Sequence, residues 1–169
     1  MATILCAMII HTASGKQNVA TKLRRMTGYK DVRIVFTRSE DDLLGFPDQS
    51  ISTNDYLARY DAATDEIDTL IKVQGNYQHP IINRDGTKIV YSQFTRFDSE
   101  GTIHVVDWDG DGVPRRLARG SAGCFWYNEA TGKEYVIFAY RCSMKESCRI
   151  SRVNIQDSTD VTTVFQPPS

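Results

Sequence analysis

The chain has 169 residues, 41% of them hydrophobic and 24% charged, a balance that excludes a disordered polymer, while its length suits one domain with its own core. No apolar run approaches the ~20 residues of a membrane-spanning helix, so no transmembrane span is expected. Twenty basic against 21 acidic side chains leave a net charge of −1, which gives no electrostatic reason to expect nucleic acid or an anionic membrane as partner.

Residues 1–31 read as a leader. Ile4 to Ile10 followed by Thr12-Ala13-Ser14-Gly15 has the apolar and small-residue parts of a short secretion signal without its basic start, the alternative being a single outer strand or a disordered leader. Within Asn18 to Met26, Ala20, Leu23 and Arg24 suit a short helix, although a strand over Thr21 to Thr27 is what a complete first repeat would need. From Val32 onward period-two alternation and β-branched or aromatic runs predict strands over Val32–Arg38, Tyr56–Asp61 and Glu66–Val73. Four more follow at Gln78–Ile82, Lys88–Gln93, Thr102–Trp108 and Pro114–Ala118. The last four are Gly123–Tyr127, Glu134–Tyr140, Arg149–Ile155 and Thr162–Phe165. Turn signals at Asn83-Arg84-Asp85-Gly86, Asp109-Gly110-Asp111-Gly112 and Ala130-Thr131-Gly132-Lys133 link them as antiparallel hairpins.

A fixed interval organises these strands. Ile89 and Val136, Ile103 and Ile150, and Leu117 and Val164 are each 47 residues apart, as are Tyr56 and Ile103, and Leu70 and Leu117. Ile34 to Ile89 is 55, which places eight extra residues in Asp41 to Asn54. The expected fold class is all-β, with antiparallel four-stranded units: a partial unit at 32–75 and full units at 76–121 and 122–166.

His79-Pro80-Ile81-Ile82-Asn83-Arg84-Asp85-Gly86-Thr87-Lys88-Ile89-Val90-Tyr91 resembles the blade signature of TolB-like β-propellers. Ile103 to Gly110 followed by Arg115-Arg116-Leu117 resembles the outer strands of the same blade. The third unit keeps Phe125-Trp126-Tyr127 and Gly132-Lys133 but lacks the Asp-Gly pair. The resemblance covers about Val32 to Phe165 and implies an incomplete propeller arc of about three blades. Propellers typically need 4 to 8 blades of about 45 residues. The arc therefore leaves two apolar sheet faces unmatched, and the chain is expected to be a fragment of a longer propeller, the alternative being a homo-oligomer that closes the ring.

Candidate sites are few. Asp107, Asp109 and Asp111 with Gly112 have the spacing of a calcium loop, but the twelfth position is Ala118 in place of the bidentate Glu, so calcium is the one cofactor considered and none is expected. Cys142 and Cys148 flank a hairpin loop and are a disulfide candidate in an oxidising compartment. Cys124 beside Phe125 reads as core filler. His79 lies on the innermost strand of the middle unit, with Trp126 as its 47-residue counterpart, and both are ligand candidates. His104 lies further from any channel. Phe46, in the long insertion, is a third ligand candidate. No nucleophile elbow, zinc helix, phosphate loop or dinucleotide fingerprint is present.

The resemblance implies a non-catalytic module that binds another protein or a cell-envelope component. The alternative is part of a propeller enzyme, either a polysaccharide lyase with a histidine-bound metal in its channel or the gating propeller of a serine hydrolase. Binding leads, because His79 is not repeated as histidine at Trp126 and no α/β domain follows. The leader and the cysteine pair lean towards a periplasmic or extracellular location.

Overall fold

The computed structural model describes residues 19–29, 31–39, 55–95, 98–110, 113–140 and 148–167. They form one helix and ten antiparallel strands, with no closed barrel or ring among the described residues. The leader residues Ile4 to Ile10, together with Phe46, Asp111 and Cys142, lie outside them.

The helix α1 (Val19–Thr27) decides the ambiguity of the leader. Val19, Ala20 and Leu23 share one side and pack on Val32, Ile34, Phe36, Tyr60 and Ala62. Nine residues would be marginal alone, so this apolar contact holds the helix. Arg24 and Arg25 sit in its last turn, where cations complement the helix dipole. Gly28, at φ 73°, ends it with its N–H donating to the Arg24 carbonyl at 2.8 Å.

The strands build three stacked layers. The first contains β1 (Arg33–Ser39), β2 (Asp55–Asp61) and the first part of β3 (Glu66–Ile82). Pairing of the 17-residue β3 passes from β2 to β4 between Gly75, opposite Asp55, and Asn76, opposite Phe94. The rest of β3 joins β4 (Lys88–Thr95), β5 (Asp98–Asp107) and β6 (Arg115–Arg119) in the second layer. The third contains β7 (Ser121–Asn128), β8 (Lys133–Tyr140), β9 (Arg149–Asn154) and β10 (Val161–Phe165), in the order β10-β9-β8-β7.

Side chains alternate across each sheet, so the middle layer feeds two cores. Ile89, Tyr91, Val106 and Trp108 meet Val35, Leu57, Leu70 and Ile71 of the first layer. Val90, Ile103 and Val105 meet Val136, Phe138, Val153 and Ile155 of the third. This two-sided burial explains why Ile89, Val90, Tyr91 and Ser92 are consecutive and all nearly inaccessible. The Arg33 and Arg59 guanidinium groups of the first layer lie 4.9 and 5.5 Å from the Trp108 ring centre. A single residue, Gly120, carries the chain from β6 to β7 at φ 137°. A Cβ there would lie 2.4 Å from the Ala139 carbonyl oxygen and 2.6 Å from the Phe138 ring, which only glycine avoids.

Registers recur between the second and third layers. Ile89 opposes Val106 and Val136 opposes Val153, a shift of 47 on both strands. Ile103 opposes Ala118 and Ile150 opposes Phe165, again shifted by 47, and each pair adjoins a bulge that leaves Leu117 or Val164 as the extra residue. The first strands depart from this interval. Ile82 opposes Ile89, seven residues on, whereas Phe125 opposes Val136, eleven residues on. The β7–β8 hairpin is four residues longer, so the interval on the first strand is 43. Both first strands bulge at the same place, between Gln78 and Ile81 and between Ser121 and Cys124. His79 therefore corresponds to Ala122, and Trp126 to Asn83, which corrects the 47-residue pairing of His79 with Trp126.

Candidate functional site: the open face of the third layer

One face of the third layer closes the core against the second; the other has no described element over it. Cross-strand pairing puts Trp126 opposite Tyr135, and Cys124 opposite Ile137, Ile137 opposite Arg152, and Arg152 opposite Thr162. Directly opposed residues share a face. Cys124, Trp126, Tyr135, Ile137, Arg152 and Thr162 thus line one surface.

Its centre is a guanidinium on an aromatic platform. The Arg152 carbon lies 4.7 Å from the Tyr135 ring centre and 5.6 Å from that of Trp126. The two rings are 5.4 Å apart and tilted by 35°. Tyr135 is buried beneath them, whereas Trp126 keeps 37% of its surface exposed. Such cation–aromatic contacts are worth about 0.5–2 kcal/mol each, depending on desolvation. The Arg152 Nε is buried and has no hydrogen-bond partner among the described residues. An unmet buried donor costs about 1–3 kcal/mol. Arg152 takes part in none of the ion pairs among the described residues, which are Arg33–Asp61, Arg59–Asp68, Lys88–Asp107 and Arg119 with Asp98 and Glu100.

The arrangement offers a flat apolar ring edge beside a held, planar donor group. It suits an incoming carboxylate or carbonyl with apolar surface around it. Cys124, a free and exposed thiol, lies on the same surface rather than in a core. Arg152 and Tyr135 were not among the residues singled out from the sequence, although the 47-residue interval carried the signal: it sets Arg152 on Val105, a charge on a buried aliphatic position.

The other candidates lie elsewhere. His79 is exposed in the β3 bulge at φ 53°, a left-handed conformation that is strained for a non-glycine residue, and is on a different sheet from Trp126. Asp107 ends β5 and pairs with the Lys88 ammonium; Asp109 is exposed in the turn that follows. Cys148 is disulfide-bonded.

Two further titratable groups are perturbed by their surroundings. The Asn83 amide donates to a Glu134 carboxylate oxygen at 3.1 Å, joining the second layer to the third. Burial, with Asp85 adding repulsion, raises the Glu134 pKa. The His104 ring stacks on Tyr91 at 5.4 Å, and Tyr77 meets Tyr91 edge-on. Burial, and then the Arg116 charge, lower the His104 pKa.

No model of a known protein family matches the chain, and no curated protein matches it. Among solved structures, TolB from Acinetobacter baumannii is similar, with a TM-score of 0.55 and 15% sequence identity over 86% of this chain and 34% of that one. The likeness is one of fold. This chain spans about a third of the length of that protein.

Proposed function

We propose that the chain is a segment of a TolB-like β-propeller, with the second and third layers as two blades and the first as a partial one, and that it acts as a non-catalytic module binding another protein. The 47-residue recurrence of register and the fold likeness support the propeller reading. The observation that carries the binding reading is Arg152 held on Trp126 and Tyr135, on a face whose counterpart in the layer before it is buried against a neighbour. Aromatic residues and arginine are the side chains most enriched where partners bind tightly. The partner would bring a carboxylate or carbonyl group to Arg152 and apolar surface to Trp126.

A periplasmic or extracellular location fits the disulfide at Cys148, since such bonds persist in oxidising compartments. Cys142 is the partner proposed for it. A calcium ion at Asp107, Asp109 and Asp111 stays a proposal of lower rank, because Lys88 already pairs with Asp107.

Site-specific photo-crosslinking in the source cell tests the function. A benzophenone residue at Ile137, on the open face, should give one dominant protein adduct that a probe at the turn residue Lys133 does not, and Arg152→Glu should abolish it. Equal adducts from both positions, or one indifferent to Arg152→Glu, would overturn the reading.

A further inference from the structure

The outer strands of the second and third layers occupy the same place and carry opposite chemistry. β6 reads Arg-Arg-Leu-Ala-Arg. Forty-seven residues later, Thr162, Thr163, Val164, Phe165 and Gln166 replace Arg115, Arg116, Leu117, Ala118 and Arg119. Among the described residues both strands are sheet edges. Charge on an edge blocks pairing with another strand, and β6 has three arginines for that purpose. β10 has no charge, and Val161, Val164 and Phe165 are exposed by 48, 57 and 57%. Leu117, the counterpart of Val164, is buried at 4%.

The backbone of β10 is also set for one particular partner. The Asn154 N–H donates to the Asp160 carbonyl at 3.1 Å. Antiparallel pairs alternate between bonded and non-bonded. Thr162 therefore directs its amide and carbonyl at Arg152 in β9, while Val161 and Thr163 direct theirs out of the sheet. The Val161 N–H is taken by the Thr159 carbonyl at 3.0 Å. Each chain thus offers one outward donor, the Thr163 N–H, two residues from an outward acceptor, the Val161 carbonyl.

We infer that β10 is a dimerisation edge that pairs antiparallel with β10 of a second copy of this chain about a two-fold axis at Thr162. That axis brings the Thr163 N–H of each copy to the Val161 carbonyl of the other, so every donor meets an acceptor. It sets Thr162 opposite Thr162 and Val161 opposite Thr163, cross-strand pairs of small β-branched residues that favour sheets. No charged side chain of β10 opposes another. The inference is independent of the binding proposed for the open face. Five residues span only about 17 Å, and such an edge buries less than the ~1,000 Å² expected of a stable complex. The dimer is therefore weak and reversible.

Sedimentation velocity over a dilution series, paired with cysteine substitution, tests this. The whole chain should pass from monomer to dimer as concentration rises, and Thr163→Lys should hold it monomeric with an unchanged circular dichroism spectrum. Thr163→Pro removes the outward N–H at an edge position, where proline is tolerated, and should act likewise. In a Cys6→Ser, Cys124→Ser background, Thr162→Cys should oxidise to a covalent dimer, because directly opposed non-bonded residues lie about 4.5 Å apart at Cα. Thr163→Cys, displaced diagonally from its own copy, should not. A chain that stays monomeric at the highest concentration, a dimer that survives Thr163→Lys and Thr163→Pro, or linkage as efficient through Thr163→Cys would each overturn the inference. Loss of dimer without loss of the Ile137 crosslink would leave the proposed function standing.

Discussion

Arg152 stands in β9 where Val105 stands in β5: the two are 47 residues apart, Val105 opposes Val90 and Arg152 opposes Ile137, itself 47 residues beyond Val90. Val105 is buried at 5% in the core between the second and third layers, whereas Arg152 lies on the outer face against Trp126 and Tyr135. A charge thus stands at a position that the second layer fills with a buried aliphatic side chain, beside an aromatic surface.

Arg152→Val should give the outer face the aliphatic pattern of the second layer. Removing a cation with an unmet donor leaves folding stability within about 1 kcal/mol of the parent, because the lost cation–aromatic contacts and the relieved desolvation oppose each other. Urea denaturation measures that difference. Light scattering should show more association, since the aliphatic patch is enlarged.

Leu117 and Val164 are matched positions in different surroundings. Leu117→Ala should cost about 2–4 kcal/mol, the price of a cavity in the core between the second and third layers. Val164→Ala should cost less than about 0.5 kcal/mol, as an exposed site. Comparable losses in chemical denaturation would mean that Val164 is buried in solution.

Gly120→Ala sets a Cβ against the Ala139 carbonyl oxygen and the Phe138 ring in a backbone conformation that L-residues rarely adopt. A loss of at least about 2 kcal/mol is expected, from strain added to the steric clash. The thermal midpoint should fall by several degrees. An unchanged midpoint would show that the step from β6 to β7 yields easily.

His104 makes stability depend on pH with a definite sign. Its folded pKa is lowered, so between that value and the ordinary 6.5 the unfolded chain binds the extra proton. Stability from neutral His104 is full above about pH 6.5 and declines as pH falls through this window. Glu134, with a raised pKa, acts oppositely: its contribution is full below the ordinary carboxylate value and declines as pH rises through the folded one. The difference between the parent and His104→Gln isolates the histidine. Urea midpoints at pH 5 and pH 7.5 should separate more in the parent than in the variant.

Strand identity and hairpin pairing were legible in the sequence because they rest on local alternation and turn residues. The runs around Lys88–Tyr91 and Tyr135–Ala139 are strands, and the 47-residue interval anticipated the pairings of β4 with β5 and of β5 with β6. The same interval misled on the first strands, where a longer β7–β8 hairpin moves the register by four and pairs His79 with Ala122 rather than Trp126. Alternation is insensitive to such a shift, because an even displacement keeps every side chain on its face.

By itself the sequence determined an all-β chain of antiparallel hairpins with repeating pairings, since these depend on neighbours along the chain and on spacing. Tertiary structure alone decided that Val19–Thr27 is a helix against β1 and β2, that Leu117 is buried while Val164 is exposed, and that Arg152, Trp126 and Tyr135 converge on one face. Each of those outcomes depends on which layer lies across from a residue, and that partner comes from a distant part of the chain.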